Sequence, residues 1–307
     1  MAGTLCFFDW LSRARKRTNS LHRNITAMKP MSQIVTLIFA YLFSISAYAG
    51  DGIDAALAAQ PEEVKARYSA RHPAETLRFF GIKPGMTVVE ALPGRGWYSK
   101  ILKQVLGADG KLIGADYASD MYPKFNFYDE ATLEAKKTWV DTWTTEASAW
   151  NDGKGASVEA FQFGSMPTSM DGTADAVLLV RAFHNVVRFE NDGGYMSAVL
   201  ADIKRVLKPG GVVGIVQHMA PEGNSDKFAD GSKGYLKRSF VLKTFKEAGF
   251  ELVGESDINH NPADQPGEKD FVWRLPPTLF GVKDEAMKAK NMAIGESNRM
   301  TLLYRKP

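Results

Sequence analysis

The stretch VVEALPGRGWYSKIL, Val88 to Leu102, decides how this chain is expected to fold. It opens as an apolar, β-branched string, which is typical of a buried strand. Gly94 and Gly96 then interrupt it, and a segment with helical spacing follows. One apolar stripe recurs there at the i, i+3, i+4, i+7 and i+8 positions, namely Tyr98, Ile101, Leu102, Val105 and Leu106. Because Gly107 is suited to end a helix, the stretch predicts a strand, a tight turn and one helix.

The same alternation of periods continues along the chain. A second helix is predicted from Tyr195 to Leu207, ending at Pro209-Gly210-Gly211. Short apolar strings predict seven strands in all, at Met86 to Leu92, Lys111 to Tyr117, Ser157 to Phe163, Ala176 to Phe183, Val212 to Gln217, Phe250 to Gly254 and Met300 to Arg305. Strands that alternate with helices form parallel sheets with helices on both faces. The sequence therefore predicts a doubly wound α/β sheet.

Two segments depart from this alternation. Trp139, Trp143 and Trp150 are spaced by four and seven residues in a helix predicted from Asp129 onward, so they are expected to pack on one face of the core. The segment Asp257 to Ser297 separates the last two strands by about 40 residues, and connections this long usually form lids or substrate-binding inserts. We expect such a role for this insert.

The first 49 residues have the pattern of a secretory signal peptide. Six basic residues stand against one acid, Asp9, and a charge-free run from Ile34 to Ala49 follows, ending in the small-residue signature Ala47-Tyr48-Ala49. A membrane anchor is the alternative, but the strongly apolar part, Ile34 to Phe43, is shorter than the 18 or so residues of a spanning helix. We predict cleavage after Ala49, export to the periplasm or beyond, and no membrane insertion afterwards. Met28 and Met31 are alternative starts.

Residues 50–307 are then long enough for one large α/β domain, with 257–297 as its insert. This part has 32 basic and 34 acidic residues, so the excess of positive charge belongs to the leader and does not indicate a nucleic-acid partner. Cys6, the only cysteine, is expected to be lost with the leader. A disulfide, a thiol nucleophile and a cysteine metal ligand are thereby excluded from the mature chain.

The two glycines lie where doubly wound sheets bind ligands, beyond the carboxyl ends of the strands. Without a Cβ, Gly94 and Gly96 allow close approach of the backbone to a ligand. Asp116, at the end of the second strand and 20 residues after Gly96, is placed to accept hydrogen bonds from ribose hydroxyls. Dinucleotide sites require a third glycine, but that position is Ser99. A single nucleoside therefore fits better than a nicotinamide or flavin dinucleotide.

Three blocks carry a resemblance to a known family. They are RHPAETLRFFGIKPGMTVVEALPGRGWYSKIL (Arg71 to Leu102), RVLKPGG (Arg205 to Gly211) and AGFELVGES (Ala248 to Ser256). In these blocks the chain resembles class I S-adenosylmethionine-dependent methyltransferases, and more narrowly a family of exported proteins of that class, over roughly Ala70 to Pro307. The resemblance implies a Rossmann-like, seven-stranded sheet of order 3-2-1-4-5-7-6 with the last strand antiparallel. It also implies S-adenosylmethionine as cofactor and methyl transfer to a small-molecule acceptor that the sequence does not identify.

The cofactor residues follow from the matched positions. By this resemblance Glu90 is the acid that opens the cofactor motif, Gly94 and Gly96 are its second and third glycines, and Asp116 binds the ribose. The first glycine of the motif is replaced by Leu92, which precedes a proline.

A second departure follows strand three. Many relatives place an acid there that meets the adenine amino group, whereas this chain has Phe163-Gly164-Ser165-Met166. Ser165 and Met166 are the residues expected to contact adenine in its place.

Candidate catalytic residues are expected at the ends of strands four and five. His184 and Asn185 follow strand four, and His218 follows strand five. In-line methyl transfer needs a base only when the nucleophile begins protonated, and histidine is suited to that task. The alternative is that one of these histidines is a packing or capping residue. Without H-x-x-x-H or H-x-x-E-H spacing, no metal site is expected, and the absence of G-x-S-x-G disfavours a hydrolase.

Two other functions remain open at this point. The fold is also compatible with a non-catalytic, exported protein that binds a nucleoside or another small molecule, for which Leu92 and the missing strand-three acid would be signs of relaxed selectivity. A dinucleotide-dependent oxidoreductase is the less favoured alternative because of Ser99.

Overall fold

A computed structural model describes residues 52–307. The predicted leader and Cys6 lie outside the described residues. The strands are β1 (Thr87–Ala91), β2 (Lys111–Asp116), β3 (Ser157–Gln162), β4 (Ala174–Val180), β5 (Leu207–Ala220), β6 (Leu236–Lys237), β7 (Glu251–Ser256) and β8 (Arg299–Arg305). The sheet has the order β3-β2-β1-β4-β5-β8-β7, and β6 pairs with the end of β5 outside this path.

This order confirms the predicted topology. β1 pairs in parallel with β2 and β4, β2 with β3, and β4 with β5. β8 is antiparallel to both of its neighbours, β5 and β7. The seven predicted strands thus take the order 3-2-1-4-5-7-6, with β7 and β8 as the sixth and seventh. The sequence did not indicate β6, since its two residues, Leu236 and Lys237, are too short for a periodic signal.

The helices are α1 (Ile53–Ala58), α2 (Glu62–Lys65), α3 (Tyr68–Arg71), α4 (Pro73–Phe79), α5 (Trp97–Leu106), α6 (Glu130–Lys137), α7 (Trp139–Ala149), α8 (Phe183–Arg188), α9 (Glu190–Gly193), α10 (Tyr195–Val206), α11 (Arg238–Glu247) and α12 (Glu285–Ile294). Short 3-10 turns lie at Ser119–Phe125, Thr168–Met170 and Val272–Arg274. Helix α5 ends at Gly107 and α10 gives way directly to β5, close to where the sequence predicted both ends.

The core has two layers, one on each face of the sheet. Val88 of β1 packs with α1, α5 and α7, whereas Val89 packs with α10 and α11, because successive strand residues point to opposite faces. The apolar stripe of α5 is buried as predicted. A central strand covered on both faces leaves ligands access only at its ends, which places the functional site at the carboxyl edge.

The tryptophan stripe differs from its prediction in one respect. The helix expected from Asp129 onward is two helices, α6 and α7, which meet at Thr138. Trp139 and Trp143 are buried in the core as predicted, but Trp150 lies beyond the end of α7. Trp143 lies against β2 so closely that a Cβ on Gly114 would come within 2.8 Å of its ring. The aromatic face therefore fixes α7 on the sheet.

The insert 257–297 is tied to the domain by a buried carboxylate. Asp264 accepts hydrogen bonds from Tyr235 Oη at 2.9 Å, from Arg274 Nη2 at 3.0 Å and from the backbone N–H of Asn298 at 3.0 Å. These contacts hold the start of β8 and the 3-10 turn Val272–Arg274 beside the carboxyl end of β5. Within residues 52–307, no helix combines the length and the apolar character needed to cross a bilayer.

Candidate functional site

The glycine loop after β1 keeps a left-handed backbone although its first glycine is replaced. Leu92 has φ 58°, a conformation that costs a residue with a Cβ about 1–2 kcal/mol. Its N–H donates to the carbonyl of Ala115 at 2.6 Å, and its side chain is buried in the core. The loop thus has the left-handed turn that a glycine would allow. The hydrogen bond to β2 and the packing of the Leu92 side chain offset the backbone strain.

Gly94 and Gly96 have different roles in this loop. Gly94 has φ 57°, and a Cβ there would meet nothing within 4 Å, so this backbone faces open space. Gly96 has φ 72° and precedes α5, and a Cβ there would lie 2.9 Å from the ring of Trp150. Gly94 therefore permits the approach of a ligand, whereas Gly96 permits the packing of the protein itself.

Glu90 is a buried acid directly beneath the loop. Ser99, the residue at the third-glycine position of a dinucleotide motif, donates a hydrogen bond from Oγ to Glu90 Oε2. Burial raises the pKa of Glu90 to about 8, against the opposing effects of the Ser99 hydrogen bond and of nearby Arg181. The carboxyl is therefore largely protonated at neutral pH, and a positively charged ligand would favour its ionisation.

Asp116 lies at the end of β2, as predicted, but its carboxylate already has partners. Oδ1 accepts from the N–H of Tyr117 at 2.9 Å, and Oδ2 accepts from Tyr122 Oη and from Lys136 Nζ, the latter at 3.2 Å. The side chain is buried. A ribose hydroxyl would share or displace one of these bonds in order to reach the carboxylate.

The other two predicted cofactor residues, Ser165 and Met166, differ in their exposure to solvent. Ser165 is exposed in the turn after β3, while Met166 is buried in the core layer of α10. Gly164 of the same turn donates its N–H to Asp202 at 2.7 Å. The arrangement fixes this turn against α10, with Met166 beneath it and Ser165 facing solvent.

A cavity of about 480 Å³ opens at the carboxyl ends of β1, β4 and β5, a size suited to a small organic ligand. Of the predicted site residues, Gly94 and His218 line it. Its walls come from the loop after β1, from the ends of the strands and from the insert, and include Trp97, Tyr117, Arg181, Trp273, Pro276 and Ser297. Residues of the insert thus form part of the cavity wall, and its role as a lid or substrate-binding insert stays a prediction.

His184 and Asn185 flank the cavity without lining it. His184 lies in α8 with a buried ring, whose Nδ1 is 3.4 Å from Gln217 Nε2 and whose Nε2 has no partner among residues 52–307. Burial lowers the pKa of His184 to about 4, so the ring is neutral at physiological pH. Asn185 donates from Nδ2 to Tyr117 Oη at 2.7 Å and so positions a wall of the cavity.

His218 is the predicted catalytic residue that reaches the cavity. Its ring centroid is 5.6 Å from that of His184, and its Nδ1 is 2.6 Å from Ser297 Oγ of the insert. Burial, followed by the neighbouring His184 and the arginines, lowers the pKa of His218 well below its ordinary value. The ring is therefore neutral, and Ser297 holds it in one orientation.

Sequence reasoning missed a cluster of four arginines around Glu296 at the floor of the cavity. Glu296 Oε1 accepts from Arg67 Nε at 3.0 Å and from Arg71 Nε at 3.2 Å. Its Oε2 accepts from Arg299 Nη1 at 3.1 Å and lies 3.6 Å from Arg181 Nη1. The glutamate and all four arginines are largely buried, with side-chain exposures of 5% for Glu296, 23% for Arg67, 8% for Arg71, 23% for Arg181 and 3% for Arg299.

This basic cluster has more positive charge than it can neutralise. Burial and the charge of Arg181 lower the pKa of Arg71 to about 10, although Glu296 opposes them. Arg71 also lies over the ring of Trp97, with its Cζ 4.6 Å from the centroid. Arg181 has φ 60°, so a second non-glycine residue at this edge of the sheet holds a left-handed backbone. Such strain concentrates at binding sites.

Among residues 52–307, no group of three or more His, Cys, Asp or Glu side chains is placed to hold a metal ion. The ionisable groups at the described site include the imidazole of His218, the carboxyl of Glu90 and the arginine cluster around Glu296.

Comparisons with known proteins relate the chain to methyltransferases. It is 26% identical over 222 residues to sterol 24-C-methyltransferase ERG6B of Gibberella zeae, covering 68% of this chain and 50% of that protein. It is 25% identical over 229 residues to sterol 24-C-methyltransferase erg6 of Schizosaccharomyces pombe, covering 70% of this chain and 52% of that protein. The chain thus spans about half the length of the curated relatives it matches. No protein-family model matches it.

Solved structures with a similar chain path include an S-adenosylmethionine-dependent methyltransferase from Aquifex aeolicus. It shares 16% sequence identity, with a TM-score of 0.46, and covers 81% of this chain and 99% of its own. The strand order β3-β2-β1-β4-β5-β8-β7 with antiparallel β8 is in itself the class I methyltransferase arrangement. In strand order this chain has the class I methyltransferase fold, and in sequence it is similar to two sterol 24-C-methyltransferases.

Proposed function

We propose that this chain is an S-adenosylmethionine-dependent methyltransferase that acts on a small-molecule acceptor. The observation that carries the proposal is the open glycine loop at Gly94, set beside a buried acid, Glu90, at the switch point of a class I sheet. Sequence similarity to two methyltransferases supports it. The sterol acceptors named for those relatives are not carried over, because the chain matches only about half of each.

The residues of the first two strands fit this cofactor. S-adenosylmethionine supplies an electrophilic methyl group on a sulfonium, which an acceptor atom attacks in line. Gly94 leaves room for close approach, and the buried Glu90 becomes favourable as an anion once positive charge is near. Asp116 accepts hydrogen bonds from the ribose hydroxyls after its hydrogen bond from Tyr122 is shared or broken. Ser165 and Met166 remain the proposed adenine contacts at the end of β3.

The residues of strands four and five serve the acceptor. His218 lines the cavity as a neutral imidazole held by Ser297, so it is placed to accept a proton or a hydrogen bond from an acceptor nucleophile. Its lowered pKa makes it a weak base, which is sufficient for an acidic or already ionised acceptor. Asn185 keeps Tyr117 in the wall, and His184 packs behind His218.

A titration calorimetry experiment on the full chain tests the cofactor part of this proposal. We expect S-adenosylmethionine and S-adenosylhomocysteine to bind with dissociation constants on the order of micromolar. Asp116→Ala should weaken both by about 1.5–3 kcal/mol, the scale of a lost hydrogen bond to a charged group. Asp141→Ala, which changes an exposed acid of α7, is the matched control and should leave both affinities unchanged. Equal affinities for wild type and Asp116→Ala would contradict the ribose assignment.

One observation favours a second candidate, a non-catalytic protein that binds a different nucleoside or small molecule. The Asp116 carboxylate is buried with three hydrogen-bond donors in place, so ribose recognition has a cost here. Radiolabelled S-adenosylmethionine, incubated with the chain and a panel of small acceptors, separates the two. If the folded chain neither binds S-adenosylmethionine nor releases S-adenosylhomocysteine with any acceptor of the panel, the second candidate is favoured.

We also propose that the protein is exported. The basic leader, the apolar run and the Ala47-Tyr48-Ala49 signature support this, and all of them precede the described residues. N-terminal sequencing of the protein from fractionated cells tests it. Gly50 as the first residue of a periplasmic or secreted form is the expected result, whereas an intact leader on protein in the cytosolic fraction would contradict export.

A further inference from the structure

We propose that the methyl acceptor carries an anionic group, a carboxylate or a phosphate, that binds to Arg71 and Arg181 at the floor of the cavity. This inference rests on the proposed function and adds to it the chemical class of the substrate. It depends on three properties of the arginine cluster: its charge, its unused hydrogen-bond donors and its place in the site.

The charge of the cavity lining is unbalanced. Arg71, Arg95 and Arg181 line it together with one acid, Glu296. Arg67 and Arg299 also contact Glu296, so four guanidinium groups share one carboxylate. The charge of Arg181 also acts on the pKa of Glu90, but burial raises that pKa to about 8, so this carboxyl is largely protonated at neutral pH. An anion bound here would neutralise charge that the protein leaves uncompensated in a partly buried place.

Within the described part of the chain, the side-chain donors of Arg181 have no hydrogen-bond acceptor. Its closest atom, Nη1, is 3.6 Å from Glu296 Oε2, which is too long for a hydrogen bond. Its Nε is buried and has no partner among residues 52–307. Glu296 itself is saturated, because Arg67, Arg71 and Arg299 already donate to its two oxygens. Arg181 is therefore a partly buried guanidinium with free donors for a carboxylate or phosphate, the groups that arginine binds in a bidentate manner.

The place of the cluster favours the acceptor over the cofactor as the source of the anion. Arg181 follows β4 and shares the cavity with His218 of β5 and with Trp273 of the insert. The proposed ribose residue, Asp116, is at the end of β2, on the other side of the glycine loop, and does not line this cavity. The walls next to the arginines are the rings of Trp97 and Trp273 with the prolines at 276 and 277. An acid with an apolar or aromatic body fits this lining.

A pair of matched probes tests the inference. The full chain, saturated with S-adenosylhomocysteine, is titrated with benzoate and separately with benzamide, which has the same ring without the charge. We expect benzoate to bind at least about tenfold more tightly than benzamide. Arg181→Gln should remove this difference and Arg181→Lys should restore part of it. Arg305→Gln, which changes an exposed arginine of β8, is the control and should leave both affinities unchanged.

A second arm identifies the source of the anion. S-adenosylhomocysteine carries a carboxylate on its amino-acid chain. In 5′-methylthioadenosine a methyl group replaces that whole chain, so the carboxylate is absent. The inference predicts that Arg181→Gln changes the affinity for each of these less than twofold. If Arg181→Gln weakens S-adenosylhomocysteine tenfold and spares 5′-methylthioadenosine, the cluster serves the cofactor carboxylate, and the inference is overturned. Equal binding of benzoate and benzamide to wild type overturns it as well.

The two proposals fail in distinguishable ways. Equal binding of benzoate and benzamide by a wild-type chain that still binds S-adenosylhomocysteine overturns the anionic acceptor and leaves the methyltransferase proposal intact. Benzoate binding that depends on Arg181, in a folded chain that binds no S-adenosylhomocysteine, supports the anion site and contradicts the methyltransferase proposal.

Discussion

The two halves of the site differ in how their chemistry is built. On the β1 and β2 side, the loop residues lie within nine positions of one another, from Glu90 to Ser99, and only Asp116 comes from farther along the chain. On the β4 and β5 side, Arg71 and Glu296 are 225 residues apart in sequence and meet only because β8 returns antiparallel beside β5. The first half is a local motif, whereas the second half exists only in the folded protein.

The two halves also differ in whether their polar groups are already hydrogen-bonded within the protein. The acids of the first half, Glu90 and Asp116, are buried and bonded to the protein's own side chains. In the second half, Arg181 has hydrogen-bond donors with no acceptor among residues 52–307, and His218 lines the cavity. A ligand must therefore break existing hydrogen bonds in the first half, whereas in the second half it has only to supply negative charge.

The largest effect is expected from Glu296→Gln. The change leaves four largely buried arginines without their shared carboxylate, and breaking a buried ion pair costs about 3–5 kcal/mol. Chemical denaturation should show a loss of this size in the free energy of unfolding. Glu251→Gln, which removes the exposed partner of Arg305, should cost less than about 1 kcal/mol. Similar losses for the two variants would mean that the cluster is hydrated like a surface pair.

The two glycines give the next largest contrast. Gly96→Val places a Cβ at 2.9 Å from Trp150 at φ 72°, so overpacking and backbone strain together should cost about 3 kcal/mol of unfolding free energy. Gly94→Ala meets nothing within 4 Å and should cost about 1 kcal/mol from its left-handed backbone alone. Thermal denaturation measures both. If Gly94→Ala is the more destabilising change, the open face assigned to Gly94 is wrong.

Glu90 is expected to make cofactor binding depend on pH. Its pKa of about 8 means that the neutral form predominates below that pH, while the positively charged S-adenosylmethionine favours the anion. Affinity should therefore rise with pH by up to about tenfold per unit, or about 1.4 kcal/mol, and level off above pH 8. Glu90→Gln should flatten the profile. Calorimetry in buffers of different ionisation enthalpy should detect proton release for wild type only, and equal release by the variant would contradict this role.

The smallest effect is expected from Tyr122→Phe. This variant removes the hydroxyl that donates to Asp116 Oδ2, so that this oxygen keeps only its bond from Lys136 and can accept a second one from ribose. Affinity for S-adenosylhomocysteine should rise by about 1 kcal/mol, the net value of one hydrogen bond. Tyr128→Phe, an aromatic change beside the same ring, is the control. Weaker binding by Tyr122→Phe would mean that Asp116 does not meet the ribose.

The sequence predicted what local pattern can encode. The strand, turn and helix around Gly94 and Gly96, the end of α5 at Gly107 and the parallel sheet all follow from periodicity, and the sheet order followed from the family resemblance. The break at Thr138 was missed because all three tryptophans follow it, so their spacing says nothing about the segment that begins at Asp129. The two-residue strand β6 was missed because it is too short to show a period.

The site was predicted less completely because its two halves depend on sequence differently. His218 was predicted to follow the fifth strand, and it lies near the carboxyl end of β5, which extends two residues farther to Ala220. Arg71 opens the first quoted block and Arg181 falls in the predicted fourth strand, but spacing alone gives no reason to join them. Their shared partner, Glu296, belongs to the insert, whose path the sequence did not indicate.

A crystal structure of the full chain with S-adenosylhomocysteine is the most direct test of this account. We predict that the ribose lies on Asp116 and that the sulfur opens into the cavity between Gly94 and His218. The arginine cluster around Glu296 should remain free of the cofactor, with Arg181 available to an acceptor. A cofactor carboxylate seated on Arg71 and Arg181 would contradict the division of the site into two halves, and a nucleoside bound elsewhere on the sheet would contradict the site itself.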